Sequence, residues 1–255
     1  MGYTSTGPQP LPKNDTILFQ HGSWNIQGKH LDQALSYLQV ASCDCDVLAL
    51  QEVSFDSSLE AGQHEFLQLP EYGVKVVLAH PKGCFRALAL SFDMEHIQDI
   101  SKVVVGHSHI SAVVCIKGGP RVRVASVHLP HCKRSYDDFM DGLQSLQEDL
   151  QSWHVSMPGL VAGDFNYPLA GHLCRRAHSL LAGMLGLGFQ HFSQDASPTR
   201  AGGARRLDHI VFNDSIAQKC EALGGDEFPF AVETLHSHCL EGLGVDHKMV
   251  QYEFL

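Results

Sequence analysis

The sequence predicts an α/β fold, and three observations carry that prediction. A strand–helix–strand unit opens the chain between Ile17 and Glu52. A second such unit runs from Arg121 to Asp164 around the clearest helical stripe in the sequence. In both units the strands run into polar residues, where open α/β sheets present their functional groups. The length of 255 residues suits one large domain or two small ones. No linker or residue-level repeat divides the chain, so a single domain over residues 16–255 is expected. Residues 1–15, with three prolines, two glycines and no apolar run, read as a loose leader.

In chain order, Ile17 to Trp24 is a short strand ending at Asn25, and Leu31, Leu35 and Leu38 recur at helical spacing over His30 to Val40. Asp46 to Gln51 is a buried strand that runs into Glu52. Leu59 to Leu69 is expected to form a second, weaker helix. Val74–Ala79, Ala87–Phe92, Ile97–Val105 and Ser111–Ile116 are β-rich runs broken by Gly, Pro, Asp and His. The strand Arg121–Val127 ends at His128. A helix over Tyr136 to Trp153 follows, with Phe139, Leu143, Leu146 and Leu150 on one stripe. It feeds a strand ending at Asp164. Leu173 to Leu187 predicts another helix with Gly188 as its C-cap, and strands at Leu207–Phe212 and Met249–Phe254 complete the pattern.

At 44% hydrophobic and 18% charged, the chain can bury a sizeable core. A formal charge of −10 argues against a generally basic surface that grips nucleic acid, although a local basic stripe or a divalent metal can offset a negative average. No apolar run is long enough to cross a bilayer. No secretory signal is present, so an intracellular protein, nuclear or cytoplasmic, with its eight cysteines reduced, is expected. Cys43 and Cys45 lack zinc-knuckle spacing, and His236, His238 and Cys239 have no matching second pair.

The chemistry centres on Leu160-Val161-Ala162-Gly163-Asp164-Phe165-Asn166. Residues i and i+2 of a strand share a face, so Asp164 and Asn166 can point together into a cleft. A carboxylate that takes a proton from water, beside an amide that holds the water or a phosphate oxygen, suits phosphate chemistry. Taken alone, the same four residues from Gly163 are equally a simple turn. Asn25, Glu52, His128, Asp208 with His209, and Asp246 with His247 occupy the ends of other strands. Each alone is an ordinary turn former or surface histidine; their joint arrangement is not.

Ser23-Trp24-Asn25, Leu50-Gln51-Glu52, Ser126-Val127-His128-Leu129-Pro130, Gly163-Asp164-Phe165-Asn166, Arg206-Leu207-Asp208-His209-Ile210 and Val245-Asp246-His247 together resemble the endonuclease/exonuclease/phosphatase superfamily, in the family's order. That group includes DNases, abasic-site endonucleases, inositol polyphosphate phosphatases, deadenylases, neutral sphingomyelinases and non-LTR retrotransposon endonucleases. The resemblance implies a four-layer α/β sandwich: two mixed β-sheets face to face, helices outside, the site at one edge. It also implies metal-dependent phosphoester hydrolysis with Mg²⁺, or Mn²⁺ in its place. Glu52 would hold the ion, with Asp246 and Asn25 completing its shells. Asp164 would be the base and Asn166 would position the water. His247 would stabilise charge on the phosphate, oriented by Asp208, and His128 would contact phosphate. Departures are Val245, where the family usually has Ser or Thr, and His209, where Tyr is common. No glutamate stands out as a partner for His128.

Ser197-Pro198-Thr199-Arg200 followed by Arg205-Arg206-Leu207-Asp208 resembles the retrotransposon endonucleases. It nominates Thr199, Arg200 and Arg206 as substrate-binding residues, a basic patch suited to a DNA backbone or else a solvated loop. His131, in His128-Leu129-Pro130-His131, resembles a phosphate-contacting turn. A DNA endonuclease is therefore the expectation. A phosphatase or phospholipase of the same fold, favoured by the acidic charge, is the alternative. A catalytically silent binding module is a third reading, opposed by the joint presence of Glu52, Asp164, Asn166, Asp208, Asp246 and His247.

Overall fold

The computed structural model describes residues 19–41, 45–56, 58–131, 134–153, 156–167, 183, 187–191, 198–202, 207–213, 215, 231–236 and 243–254. Chain order is β1 (Phe19–Asn25), α1 (Leu31–Val40), β2 (Val47–Val53), β3 (His64–Leu69), a 3-10 turn at Pro70–Tyr72, β4 (Val74–Ala79), β5 (Ala87–Asp93), β6 (Ile97–Val105) and β7 (His109–Ile116). It continues with β8 (Arg121–His128), α2 (Tyr136–Gln151), β9 (Gly159–Asp164), β10 (Phe189–His191), β11 (Asp208–Asn213), β12 (Ala231–His236) and β13 (Met249–Phe254).

These strands build two mixed sheets. One has seven strands in the order β12-β13-β1-β2-β5-β4-β3, the other six in the order β10-β11-β9-β8-β7-β6. Each sheet has one parallel pair, β1 with β2 and β8 with β9, and all other pairs are antiparallel. The parallel pairs are the two βαβ units read from the sequence, because parallel neighbours need a crossover and α1 and α2 supply it.

Strands buried on both faces are apolar nearly throughout, as in Val47–Leu50 and Leu160–Ala162. Val47, Ala49 and Leu90 meet Ala112, Val124, Ala162 and Ile210 in a core between the sheets. On the outer face of the larger sheet, Leu31, Ala34, Leu35 and Leu38 of α1 cover Trp24, Leu48 and Leu50. On the outer face of the smaller sheet, Phe139, Leu143, Leu146 and Leu150 of α2 cover Ala125, Val127, Val161 and Phe165. The result is the four-layer sandwich, helix on sheet on sheet on helix.

The helix expected over Leu59–Leu69 is not there. His64–Leu69 is an edge strand whose residues alternate between exposed and half-buried, so Leu67 and Leu69 share one face at period two. Its antiparallel pairing with β4 over six register positions outweighs a weak helical pattern, and Pro70 ends it. The helix expected at Leu173–Leu187 lies outside the described residues, Gly183 and Leu187 aside.

Candidate active site

Topology brings the polar strand ends to one edge. The two parallel pairs end there in register, Asn25 level with Gln51 and His128 level with Asp164. β11 runs antiparallel to β9 and starts at that edge, with Asp208 opposite Asp164. β13 is antiparallel to β1, so Asp246 and His247, just ahead of it, arrive there too. An isolated bridge between Arg200 and His247 ties down the preceding segment, with Ala201 N–H donating to Asp246 O and Lys248 N–H to Thr199 O.

The amide of Asn25 joins the sheets: its Nδ2 lies 3.0 Å from Glu52 Oε1 and 3.1 Å from Asp164 Oδ2. Asp164 Oδ1 accepts the backbone N–H of Asn166 at 2.8 Å, and Asn166 Nδ2 donates to Leu129 O at 2.8 Å. His247 sits between three carboxylates. Its Nδ1 is 2.9 Å from Asp208 Oδ2, and its Nε2 is 3.9 Å from Asp164 Oδ2 and 3.5 Å from Asp246 Oδ1. Trp24 Nε1 donates to the His247 carbonyl at 3.1 Å, fixing the backbone behind the ring.

The backbone is strained at this edge. Among the described residues four non-glycines have positive φ, and three of them are Gln27 (50°), Glu52 (54°) and Asn166 (48°). Left-handed conformations cost such residues free energy, and they persist where surrounding contacts impose them, commonly at functional sites. At Glu52 the register of β2 on β5 slips between Leu50 and Val53. The slip leaves Gln51 buried and turns the Glu52 side chain to 30% exposure at the edge.

Burial and the nearby Asp208 carboxylate push the pKa of Asp164 up to about 6, against the opposing pull of His128, His247 and the Asn166 N–H. Burial opposes charge on His247, but Asp208, Asp164 and Asp246 outweigh it and raise its pKa to about 9. The pair therefore holds a carboxyl that can accept a proton near neutrality beside a ring that stays cationic. That combination suits proton removal next to developing negative charge.

Not every nominated residue faces the same space. Asn25, Glu52, His128, Asp164, Asn166, Asp208, Asp246 and His247 are brought together. Thr199 is fully buried, its hydroxyl donating to Asp208 Oδ2 at 2.6 Å and accepting the Asp208 N–H at 3.1 Å. In this position it holds Asp208 from behind. Arg200 Nε donates to Asp246 Oδ2 at 2.7 Å on the exposed side. His131 is exposed, its carbonyl accepting N–H bonds from Arg134 and Ser135 at the approach to α2. Arg206 lies outside the described residues. The acidic neighbour missing for His128 is Glu52, whose Oε1 lies 3.6 Å from His128 Nε2.

Two participants went unread in the sequence. Gln27 embraces Asp246, its Nε2 donating to Asp246 Oδ1 and its Oε1 accepting the Asp246 N–H at 2.8 Å. Arg86 brings Nη1 to 3.9 Å from Glu52 Oε2. A lone glutamine or arginine outside a motif carries no spacing signal, so neither could be found without the fold.

Two donor sets bear on metal binding. Asp164, Asp208 and His247 place one ligand atom each within 4.8 Å of the others, but all three are buried, His247 is bonded to Asp208, and Asp164 is bonded to Asn25 and Asn166. Glu52 and Asp246 are one-third exposed and offer only oxygens. That chemistry fits a hard divalent cation that keeps several waters. Both oxygens of Asp246 are engaged, by Gln27 and Arg200, so Glu52 is the more open ligand.

A sequence profile of the Endonuclease/Exonuclease/phosphatase family matches residues 22–227. The chain belongs to that family. No curated protein sequence matches it. Several solved structures of the family's fold superpose on it. The endonuclease domain of TRAS1, a telomere-specific non-LTR retrotransposon, is 13% identical with a TM-score of 0.64, covering 92% of this chain and 97% of its own. An AP endonuclease from Archaeoglobus fulgidus is 15% identical with a TM-score of 0.64, covering 92% and 99%. The Neisseria 3′ phosphatase NExo, bound to a product DNA hairpin, is 18% identical with a TM-score of 0.61, covering 93% and 99%. At these identities the likeness establishes the fold of the endonuclease/exonuclease/phosphatase family and leaves the substrate to be argued from the site.

Proposed function

We propose that this family member is a Mg²⁺-dependent phosphodiester hydrolase, also served by Mn²⁺, that cuts DNA internally in the manner of a retrotransposon endonuclease. The observation that carries the reading is the buried Asp164–His247 pair, one a carboxyl poised to accept a proton and the other an imidazolium. Asp164 takes the proton of the attacking water, which the Asn166 and Asn25 amides help to place. His247, its Nδ1–H bonded to Asp208, faces the scissile phosphate and stabilises the charge that develops on its oxygens. His128 and Arg200 bind phosphate. Glu52 and Asp246 would hold a divalent ion, which would supply Lewis-acid polarisation at the phosphate. DNA as the substrate draws support from the similar fold of NExo, which is bound to a product DNA hairpin, and internal cleavage from those of the TRAS1 endonuclease domain and the AP endonuclease.

Nicking of supercoiled plasmid in Mg²⁺, beside an EDTA control, tests the proposal. Asp164→Ala and His247→Ala are each expected to lower the rate on the order of 10²-fold or more. Intact plasmid with folded wild-type protein would remove DNA cleavage from consideration. Turnover of inositol phosphates or sphingomyelin by that protein would then move the site to a phosphatase or phospholipase.

A further inference from the structure

Phe85 is 93% exposed, the most exposed large apolar side chain among the described residues. Its neighbours on both sides are fixed. Cys84 is buried, with Sγ donating to His128 O at 3.5 Å, and burial pushes its thiol pKa up to about 12, so it stays a donor. Arg86 lies across Gly28, where an added Cβ would come within 1.2 Å of Arg86 Nη1, and the same nitrogen reaches toward Glu52. The turn before them is pinned by Gly83 N–H to His107 O at 2.7 Å and Cys84 N–H to Pro81 O at 3.1 Å.

Register brings this segment to the edge of the site. Ala87, the first residue of β5, pairs with Val53, one residue beyond Glu52, so Phe85 stands two residues ahead of β5, between Cys84, which reaches His128 O, and Arg86, which reaches Glu52. An exposed phenyl ring next in sequence to Arg86, whose guanidinium reaches Glu52 at the active-site edge, has a surface that water satisfies poorly, and Arg86 is a cation that phosphate satisfies well. Resting on the DNA reading above, we infer that Phe85 is a stacking platform for one nucleobase near the scissile phosphate, with Arg86 alongside the backbone. An aromatic ring stacks on any base, so this contact adds affinity with little sequence preference. Insertion into a lipid surface fits less well, because one ring is a weak anchor and the other exposed large apolar residues among those described are scattered, Val40 on α1, Phe66 on β3, Met94 past the far end of β5, Val104 on β6, Tyr136 on α2 and Leu187 before β10.

The test is a double-mutant cycle on binding, read by fluorescence anisotropy in EDTA so that nothing is cut. Wild type and Phe85→Ala are titrated with duplexes carrying one abasic replacement at successive positions. At one position, base removal should weaken wild-type binding about tenfold and leave Phe85→Ala binding, already about tenfold weaker, unchanged. Phe85→Trp should keep the wild-type pattern, and Phe85→Leu should behave like the alanine variant. Additive losses at every position, or full retention by Phe85→Leu, would overturn the stack. So would undiminished DNA binding by Phe85→Ala together with lost sedimentation on anionic phosphatidylserine vesicles, which would assign the ring to a membrane. If wild type binds no duplex at all, the DNA reading itself fails, a result distinct from any of these. Because the side chain is almost wholly in water, its replacement leaves folding intact, which the far-ultraviolet circular dichroism of each variant verifies.

Discussion

Asp164 and His247 require opposite protonation states to act together, and their surroundings keep those states apart. As a base Asp164 must be ionised, so activity should rise with pH through about 6; as a charge stabiliser His247 must be protonated, so activity should fall above about 9. Asp208 is the principal group raising the His247 pKa and the partner that accepts its Nδ1–H. Asp208→Asn should therefore move the alkaline limb of the kcat/KM profile to lower pH while lowering the plateau. Profiles of the two proteins check this, and an unmoved alkaline limb would dissociate His247 from it. Thr199 matters through the same carboxylate, which its hydroxyl holds in place. Gln27 differs in kind, because its partner Asp246 lies 219 residues away and no pattern in the sequence joins them.

At the scale of elements, the close passage of β9 along β8 is the demanding feature. Gly163 sits at φ 152°, and an added Cβ would come within 1.9 Å of Val127 O. Backbone cannot retreat as a side-chain tip can. Gly163→Ala should therefore cost about 3 kcal/mol or more, measured as a lower urea midpoint, with Asp164 displaced as well. The glycine of Gly-Asp-Phe-Asn is thus required by packing, whatever the chemistry of its neighbours. Elements like this one are legible in the sequence because strands buried on both faces are apolar throughout and α2 carries a full stripe of core residues. β3 is not, since an edge strand with one half-buried face has too few apolar residues to reveal its period. The strand ends of the site are legible for a topological reason: both βαβ units deliver their C-terminal ends to one edge, so polar residues closing apolar runs are necessarily neighbours. The contacts of Arg86 and Gln27 depend on loops, whose paths no periodicity encodes.

For the whole molecule, the core between the sheets is less apolar than its strands suggest. His21 is fully buried, and among the described residues no hydrogen-bond partner is found for either ring nitrogen. Burial pulls its pKa from 6.5 to about 3, so the unfolded chain binds a proton that the folded one refuses. Stability on this account is intact above about pH 6.5 and declines as pH falls toward 3. Between pH 7 and pH 5 the loss from this residue should be about 2 kcal/mol. Urea titrations of wild type and His21→Phe should diverge by that amount in their pH dependence, and parallel curves would clear His21 of the effect. Beyond His21, toward the site, Ser23, Gln51 and Ser126 continue a polar seam between the sheets, and at its end Asn25 grips Glu52 in its own sheet and Asp164 in the other. An active site stitched across two slabs is vulnerable to slip. A shift of one slab by a single residue, about 3.3 Å, would leave both hydrogen-bonded ladders whole and most of the core apolar, yet would part base from cation by more than a hydrogen bond can stretch. Substitutions that alter volume between the slabs should thus silence such a protein well before they melt it.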